Sequence, residues 1–268
     1  MSPHIQRWIS GIIAVPILFA IIFYGSEVVF TGFIIVIILG AVIEYNRMVF
    51  NEETSWEKWE GLGVSLLVPL AAFSGDFRLI LAVIAFSVIS LFFLFLLRVN
   101  THSFDTAPLS RLVFGFMYIP FMLSHFILLR KADDGIVWIF LILVFAFSGD
   151  IAAYYVGRAV GKKKLIPLIS PGKTVEGTIA LIIGCVVGCL LFRYILYPKL
   201  SIIHAVIIGL LGGILGQLGD LCESMIKRAS GVKDSGSFLI GHGGLMDRLD
   251  CLIFIAPFVY YYRLFIMA

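Results

Sequence analysis

The chain has 268 residues, of which 60% are hydrophobic and 14% charged, and its mean hydropathy is +1.05. Soluble domains are roughly 45–50% apolar and about 25% charged, so a water-soluble globule is excluded. The formal net charge of +3, from 20 Lys+Arg and 17 Asp+Glu, is too near balance to argue for a nucleic-acid partner, and no basic run is longer than Lys162, Lys163 and Lys164.

Apolar runs and their breakers predict spans at 8–24, 28–45, 61–74, 79–97, 112–129, 136–157, 175–197, 202–222 and 249–266. The expected fold is therefore all-α, a polytopic membrane protein with about nine transmembrane helices. It forms one integral membrane domain over 1–268, with N-terminal helical spans in 1–135 and catalytic spans and cytoplasmic loops in 136–268. The first run follows Arg7 and reads as an uncleaved span, because no small-x-small cleavage site precedes Gly25. The third is short and interrupted by Gly61, Gly63 and Pro69. Cys185, Cys189, Cys222 and Cys251 sit in or beside apolar stretches and read as free small hydrophobes, not as a disulfide framework or a zinc site.

With nine spans, the N-terminus and loops 46–60, 98–111, 158–174 and 223–248 share one side, and that side receives 14 of the 20 Lys and Arg residues. The positive-inside rule makes it cytoplasmic, with the N-terminus inside. An inner (cell) membrane protein whose active site faces the cytoplasm is expected.

A carboxylate at the centre of a membrane helix costs about 2.5–3.5 kcal/mol on insertion scales, so each one is a functional candidate. Asp150, in Phe147-Ser148-Gly149-Asp150, and Asp220, in Gly216-Gln217-Leu218-Gly219-Asp220, fall late in spans that run inward; Glu44 and Glu176 reach the same level. The polar groups thus gather at one membrane face. The densest stretch is 220–250, where Asp220, Glu223, Ser224, Lys227 and Arg228 lead into a glycine-rich loop and then Asp247-Arg248-Leu249-Asp250. Asp220 and Ser224 are four apart, and Asp247 and Asp250 three apart; each pair shares a helix face if the helices extend that far. The turn Gly241-His242-Gly243-Gly244 can bring bare backbone N–H groups to an anion. Carboxylates beside Lys, Arg and bare amides suit a divalent cation bridging a polyphosphate, and Mg²⁺ commonly takes only one or two carboxylates.

The pattern Ser224-x-x-Lys227-Arg228, Lys233-Asp234, Ser235 or Gly236, then His242-Gly243-Gly244-x-x-Asp247-Arg248-x-Asp250 resembles the signature of the bacterial phosphatidate cytidylyltransferases, the CDP-diacylglycerol synthases. Asp150 with Tyr154 and Gly157-Arg158, Ser170-Pro171-x-Lys173-Thr174-x-Glu176-Gly177, and Gly219-Asp220 add to it, so that it covers roughly 147–250. Residues 1–135 resemble the family only in being hydrophobic spans. The resemblance implies condensation of CTP with phosphatidic acid to CDP-diacylglycerol and pyrophosphate, in phospholipid biosynthesis, with Mg²⁺ or Mn²⁺. On that implication Asp220 and Asp247 hold the metal, with Asp150 or Asp250 as further candidates, and Asp220, Asp247, Lys227 and Arg228 form the catalytic set. Lys173, Glu176, Ser224, Lys233, Asp234, His242, Gly243, Gly244, Arg248 and Asp150 would contact substrate. Assembly into a homo-oligomer is left open.

Plainer readings stand beside these. Asp150 can be a structural group bonded to Tyr154 or Ser neighbours, and Asp220 and Asp247 can likewise be structural. Lys227 and Arg228 can be snorkelling anchors, and Lys162 to Lys164 a patch for anionic headgroups. Ser170-Pro171 can be an N-cap and N1 pair, and Thr174 with Glu176 helix-start chemistry, while His242 can be a phosphate contact or a turn residue. Two other functions compete: a CTP-dependent lipid kinase of the polyprenol or phytol type, and a cation- or proton-coupled transporter. A transporter should place ionisable groups near the midplane and often shows inverted repeats, neither of which is found.

Overall fold

The computed structural model describes residues 15–50, 55–98, 105–236 and 243–267, which are almost entirely helical. They fall into two compact units, Met1–Lys131 with Asp234–Arg248, and Ala132–Lys233 with Leu249–Ala268.

In the first unit, α1 (Val15–Tyr24) and α2 (Glu27–Val49) are separated by a turn in which Ser26 caps α2, its Oγ accepting from Val29 N at 3.3 Å. Helices α3 (Ser55–Ser65) and α4 (Leu67–Ser74) replace the single third span expected. Pro69 has no N–H and its ring would meet the carbonyl four residues back, so the ladder restarts at Leu67. Gly75, at φ +76°, ends α4, and Asp76 caps α5 (Phe77–Leu96) by accepting from Arg78 N at 2.8 Å. The next span combines α6 (Ala107–Phe116), a π-turn at Met117–Phe121 and α7 (His125–Lys131); Pro120, unable to donate, sits in the widened turn. The core gathers Phe50, Val64, Val68, Leu91, Leu109, Leu112 and Phe116. Polar ties reinforce it, with Tyr45 Oη donating to Arg111 O at 2.9 Å and Arg111 Nη1 to Val49 O at 2.7 Å.

The second unit begins with α8 (Gly135–Val160), continues through the antiparallel pair β1 (Lys164–Ile166) and β2 (Ser170–Thr174), and then runs α9 (Val175–Ile195), α10 (Ile202–Ala229) and α11 (Asp250–Ile266). Helices α8, α9 and α10 pack backbone against backbone: a Cβ at Gly184 would sit 2.8 Å from Ser148 O, and one at Gly209 2.6 Å from Val186 Cα. Small residues at such crossings permit the close approach that drives association in lipid, where apolar side chains gain little from burial. At the end of this unit where α8 begins, Tyr197 Oη donates to Asp134 Oδ2 at 2.7 Å and Arg263 Nη2 to Asp133 O at 2.8 Å. All four cysteines are free, with Cys185 and Cys189 buried.

Among the described residues, six helical stretches are long and apolar enough to cross a membrane: Glu27–Val49, Phe77–Leu96, Ala107–Lys131, Gly135–Val160, Val175–Ile195 and Ile202–Ala229. The chain is a polytopic, predominantly helical membrane protein. At the other three places where a span is expected, α1 has ten described residues, the third is divided at Leu66, and α11 has 17 residues.

Candidate active site

The second unit assembles its polar groups where α8 ends, α9 begins and α10 ends. Thr174 caps α9 by accepting from Gly177 N at 3.1 Å, which corrects the reading of Ser170-Pro171 as the cap: those two residues open strand β2. Glu176, in the first turn of α9, accepts from Lys162 N at 3.1 Å and Lys163 N at 3.2 Å, so this proposed substrate contact fastens the turn after α8. Lys162, Lys163 and Lys164 are exposed, as a headgroup-facing patch would be.

Helix α10 runs to Ala229, seven residues beyond the predicted end of its span, so Asp220, Glu223, Ser224, Lys227 and Arg228 are all helical. Asp220 and Ser224 do share a face, with Ser224 Oγ donating to Asp220 Oδ1 at 3.5 Å. Lys173, presented by β2, forms an ion pair with Asp220. Glu223 is fully buried, and its Oε2 accepts from Lys227 Nζ at 2.9 Å, one turn along. Arg228 braces two loops, Nε donating to Ile169 O at 3.2 Å and Nη1 to Val232 O at 3.3 Å. Asp250 opens α11, where its Oδ1 accepts from its neighbour Cys251 N at 2.7 Å. Gly219 makes this placement possible, since a Cβ there would collide with Asp250 O.

Oxygens of Asp220, Glu223 and Asp250 consequently lie within 4.8 Å of one another. Three carboxylates this close repel unless positive charge intervenes. Lys173 and Lys227 supply two such charges. The donors are hard oxygens, and an octahedral Mg²⁺ shell at about 2.0–2.1 Å spaces its ligands about 3–4 Å apart, so the set fits such a cation. Asp150 is exposed on α8 and stands outside this trio. Gln217, one turn before Asp220, is buried and its Oε1 accepts from Thr178 Oγ1 at 3.4 Å.

The signature stretch Asp234–Arg248 belongs to the first unit, while Lys233 closes the preceding part of the second. Asp247 lies in a 3₁₀ turn, Met246–Arg248, and α11 starts only at Asp250, so Asp247 and Asp250 do not share a helix face as the spacing suggested. Asp247 Oδ2 accepts from Ser235 N at 3.2 Å and Gly244 N at 2.9 Å. Beside it Glu44, near the end of α2 and 3% exposed, accepts from Ser235 Oγ at 3.0 Å, Leu245 N at 2.9 Å and Met246 N at 2.9 Å. Lys233, Asp234 and Arg248 are exposed, Gly243 adopts φ +82°, and His242 lies outside the described residues.

The profile of the cytidylyltransferase family matches residues 5–266. The chain belongs to that family. Among its relatives, a phosphatidate cytidylyltransferase of Bacillus subtilis (strain 168) is 34% identical over 96% of each chain. One from Synechocystis sp. is 33% identical over 96% of this chain and 95% of the relative, and one from Staphylococcus aureus (strain COL) 30% identical over 94% and 95%. The match takes in residues 5–135, where the sequence offered only hydrophobic spans as likeness. Two residues important to this geometry were left out of the site expected from sequence. Glu223 carries a usable signal, being three positions from Asp220 on one helix. Glu44 shows only as a carboxylate late in a span, and nothing local links it to residues some 190 positions away.

Proposed function

We infer that the protein is a phosphatidate cytidylyltransferase, converting CTP and phosphatidic acid into CDP-diacylglycerol and pyrophosphate. Family membership along nearly the whole chain supports the reaction class. The observation in this chain that carries the reading is the trio Asp220, Glu223 and Asp250 with Lys173 and Lys227 paired into it.

The chemistry asks for charge neutralisation and alignment more than for a base. A phosphate monoester is largely dianionic at neutral pH, so a phosphatidate oxygen can attack the α-phosphorus directly. The new P–O bond forms as the bond to the bridging α–β oxygen breaks, and pyrophosphate leaves with that oxygen. Asp220, Glu223 and Asp250 are the residues that would hold Mg²⁺ or Mn²⁺, and the signature adds Asp247 as a ligand. A cation held by these residues would supply charge to offset the triphosphate and polarise the phosphoryl group. Lys173 keeps Asp220 balanced, Lys227 does the same for Glu223, and Arg228 holds the β1–β2 connection against the end of α10. Lys227, Arg228, Lys233 and Arg248 are assigned to phosphate contacts by the signature. In this reading the nine spans expected from the sequence and the excess of basic residues on one side support a site at the cytoplasmic face of the inner membrane, where CTP is available.

Purified protein given phosphatidic acid, labelled CTP and Mg²⁺ should form CDP-diacylglycerol and pyrophosphate in equal amounts. Release of CDP with a phosphorylated lipid would instead make it a kinase, and no turnover of CTP would overturn the reading. Cysteines introduced within 158–174 should react with an impermeant thiol reagent from the cytoplasmic side alone; labelling from outside would refute the orientation.

A further inference from the structure

We propose that Glu44 is a positioning residue for the reaction, fixing Asp247 and Arg248 by clamping both ends of the glycine-rich signature segment. The inference rests on the assignment of Asp247 and Arg248 to the active site made above. Three observations carry it. Glu44 is 3% exposed, so its carboxylate is removed from water, and its two oxygens receive three donors, Oε1 from Leu245 N and Oε2 from Met246 N and Ser235 Oγ. Those donors come from both sides of residues 237–242, Ser235 before them and Leu245 and Met246 after them, and Leu245 and Met246 immediately precede Asp247. The glycines around the carboxylate leave room for it. A Cβ on Gly236 would lie 2.7 Å from Glu44 Oε1, and one on Gly244 would lie 2.6 Å from Oε2 and collide with Ser235 Oγ. The space that Glu44 and Ser235 occupy thus accounts for glycine at both positions.

The consequence is a chain of position. Glu44 sets the backbone at 245 and 246; Asp247 follows directly, and its Oδ2 in turn accepts from Ser235 N and Gly244 N, closing the same ends. A carboxylate is the suitable group because every partner is a donor. In Glu44→Gln one oxygen becomes an NH₂ that must face a backbone N–H, at nearly unchanged volume. In Glu44→Asp all acceptors remain, on a side chain one methylene shorter.

The test compares Glu44→Gln, Glu44→Asp, Ser235→Ala and Asp247→Asn in detergent-purified protein, each measured for kcat, KM for phosphatidic acid, the Mg²⁺ concentration giving half-maximal rate, and hydrogen exchange at the amides of Leu245 and Met246. Glu44→Gln should speed exchange at both amides on the order of tenfold or more. It should lower kcat on the order of tenfold to a hundredfold, as a misplacement of about 1 Å does, and raise the Mg²⁺ requirement, leaving KM for phosphatidic acid within about twofold. Glu44→Asp should recover most of the kcat. If Glu44→Gln does not fold, Ser235→Ala, which deletes one of three donors, should shift kcat and Mg²⁺ requirement in the same direction by a few-fold. Faster exchange with kcat and Mg²⁺ requirement as in wild type, in whichever of the two variants folds, would reduce Glu44 to a structural anchor and overturn the proposal. So would a loss of rate fully matched by loss of folded protein. Wild-type kinetics in Asp247→Asn would instead show that the active-site assignment has failed, independently of what Glu44 does.

Discussion

Glu44 and the Asp220 trio are two buried or half-buried acidic centres in one chain, and their surroundings differ in kind. Glu44 receives only neutral donors, two backbone N–H groups and a hydroxyl, each placed on an oxygen. Its charge is spread over hydrogen bonds that each contribute about 1.5–3 kcal/mol when an ionised group accepts them. At Asp220, Glu223 and Asp250 the carboxylates face one another, and the compensation comes from lysine ammonium groups. The first arrangement holds a segment in place; the second gathers three carboxylates and two ammonium groups in one spot, the kind of set that a divalent cation can join. Carboxylates look alike in a sequence, and only the identity of their donors separates an anchor from a ligand.

The contrast makes quantitative demands. Asp220→Asn should have the largest effect, lowering cytidylyl transfer by about a hundredfold or more while the protein stays folded, because the charge is lost and the shape kept. Activity near wild type at limiting Mg²⁺ would remove Asp220 from the ligand set and leave both centres structural. Next, Lys227→Met should destabilise by about 3–5 kcal/mol, since it withdraws the ammonium beside a fully buried Glu223; adding Glu223→Gln should restore much of that, which thermal unfolding of the double variant measures.

The cation itself gives a third comparison. At about one hundred times its dissociation constant Mg²⁺ should add about 2.7 kcal/mol to wild-type stability, and this increment should vanish in Asp220→Asn with Asp250→Asn but persist in Glu44→Asp. Thermal midpoints with Mg²⁺ and with chelator would read it directly. The smallest effect should be that of Thr174→Ala, about 1 kcal/mol from the lost cap of α9, with the Mg²⁺ requirement unchanged. A shift in that requirement would tie the start of α9 to the metal ligands.

Much of the helical order was readable because membrane helices announce themselves by long apolar runs, and helix stretches appear at each place the runs indicated. Their ends were less readable. α10 continues to Ala229 because Glu223, Ser224, Lys227 and Arg228, which end an apolar run, are nonetheless compatible with helix and are paired along it. The short strands Lys164–Ile166 and Ser170–Thr174 gave too little alternation to be seen, so the segment read as loop. The motif located Asp220 and Asp250, yet the shared face expected for Asp247 and Asp250 failed because a 3₁₀ turn ends at Arg248 before α11 starts. Glu44 illustrates a limit of local reasoning: its donors are distant in sequence, and a single chain's periodicity holds no record of such pairings.

The membership of Asp234–Arg248 in the first unit, while Lys233 and Leu249 on either side belong to the second, has a consequence for how such a protein can be inherited. A break at residue 131 does not yield two self-sufficient modules, because the N-terminal piece would carry the acceptor Glu44 without Ser235, Leu245 and Met246 that bind it. Recombination between distant relatives at that point would join an α2 from one lineage to a signature segment from another, and the resulting chimera must match residue for residue at the carboxylate and its two flanking glycines. The first half of the chain and the motif-bearing second half are thus tied together through a single carboxylate.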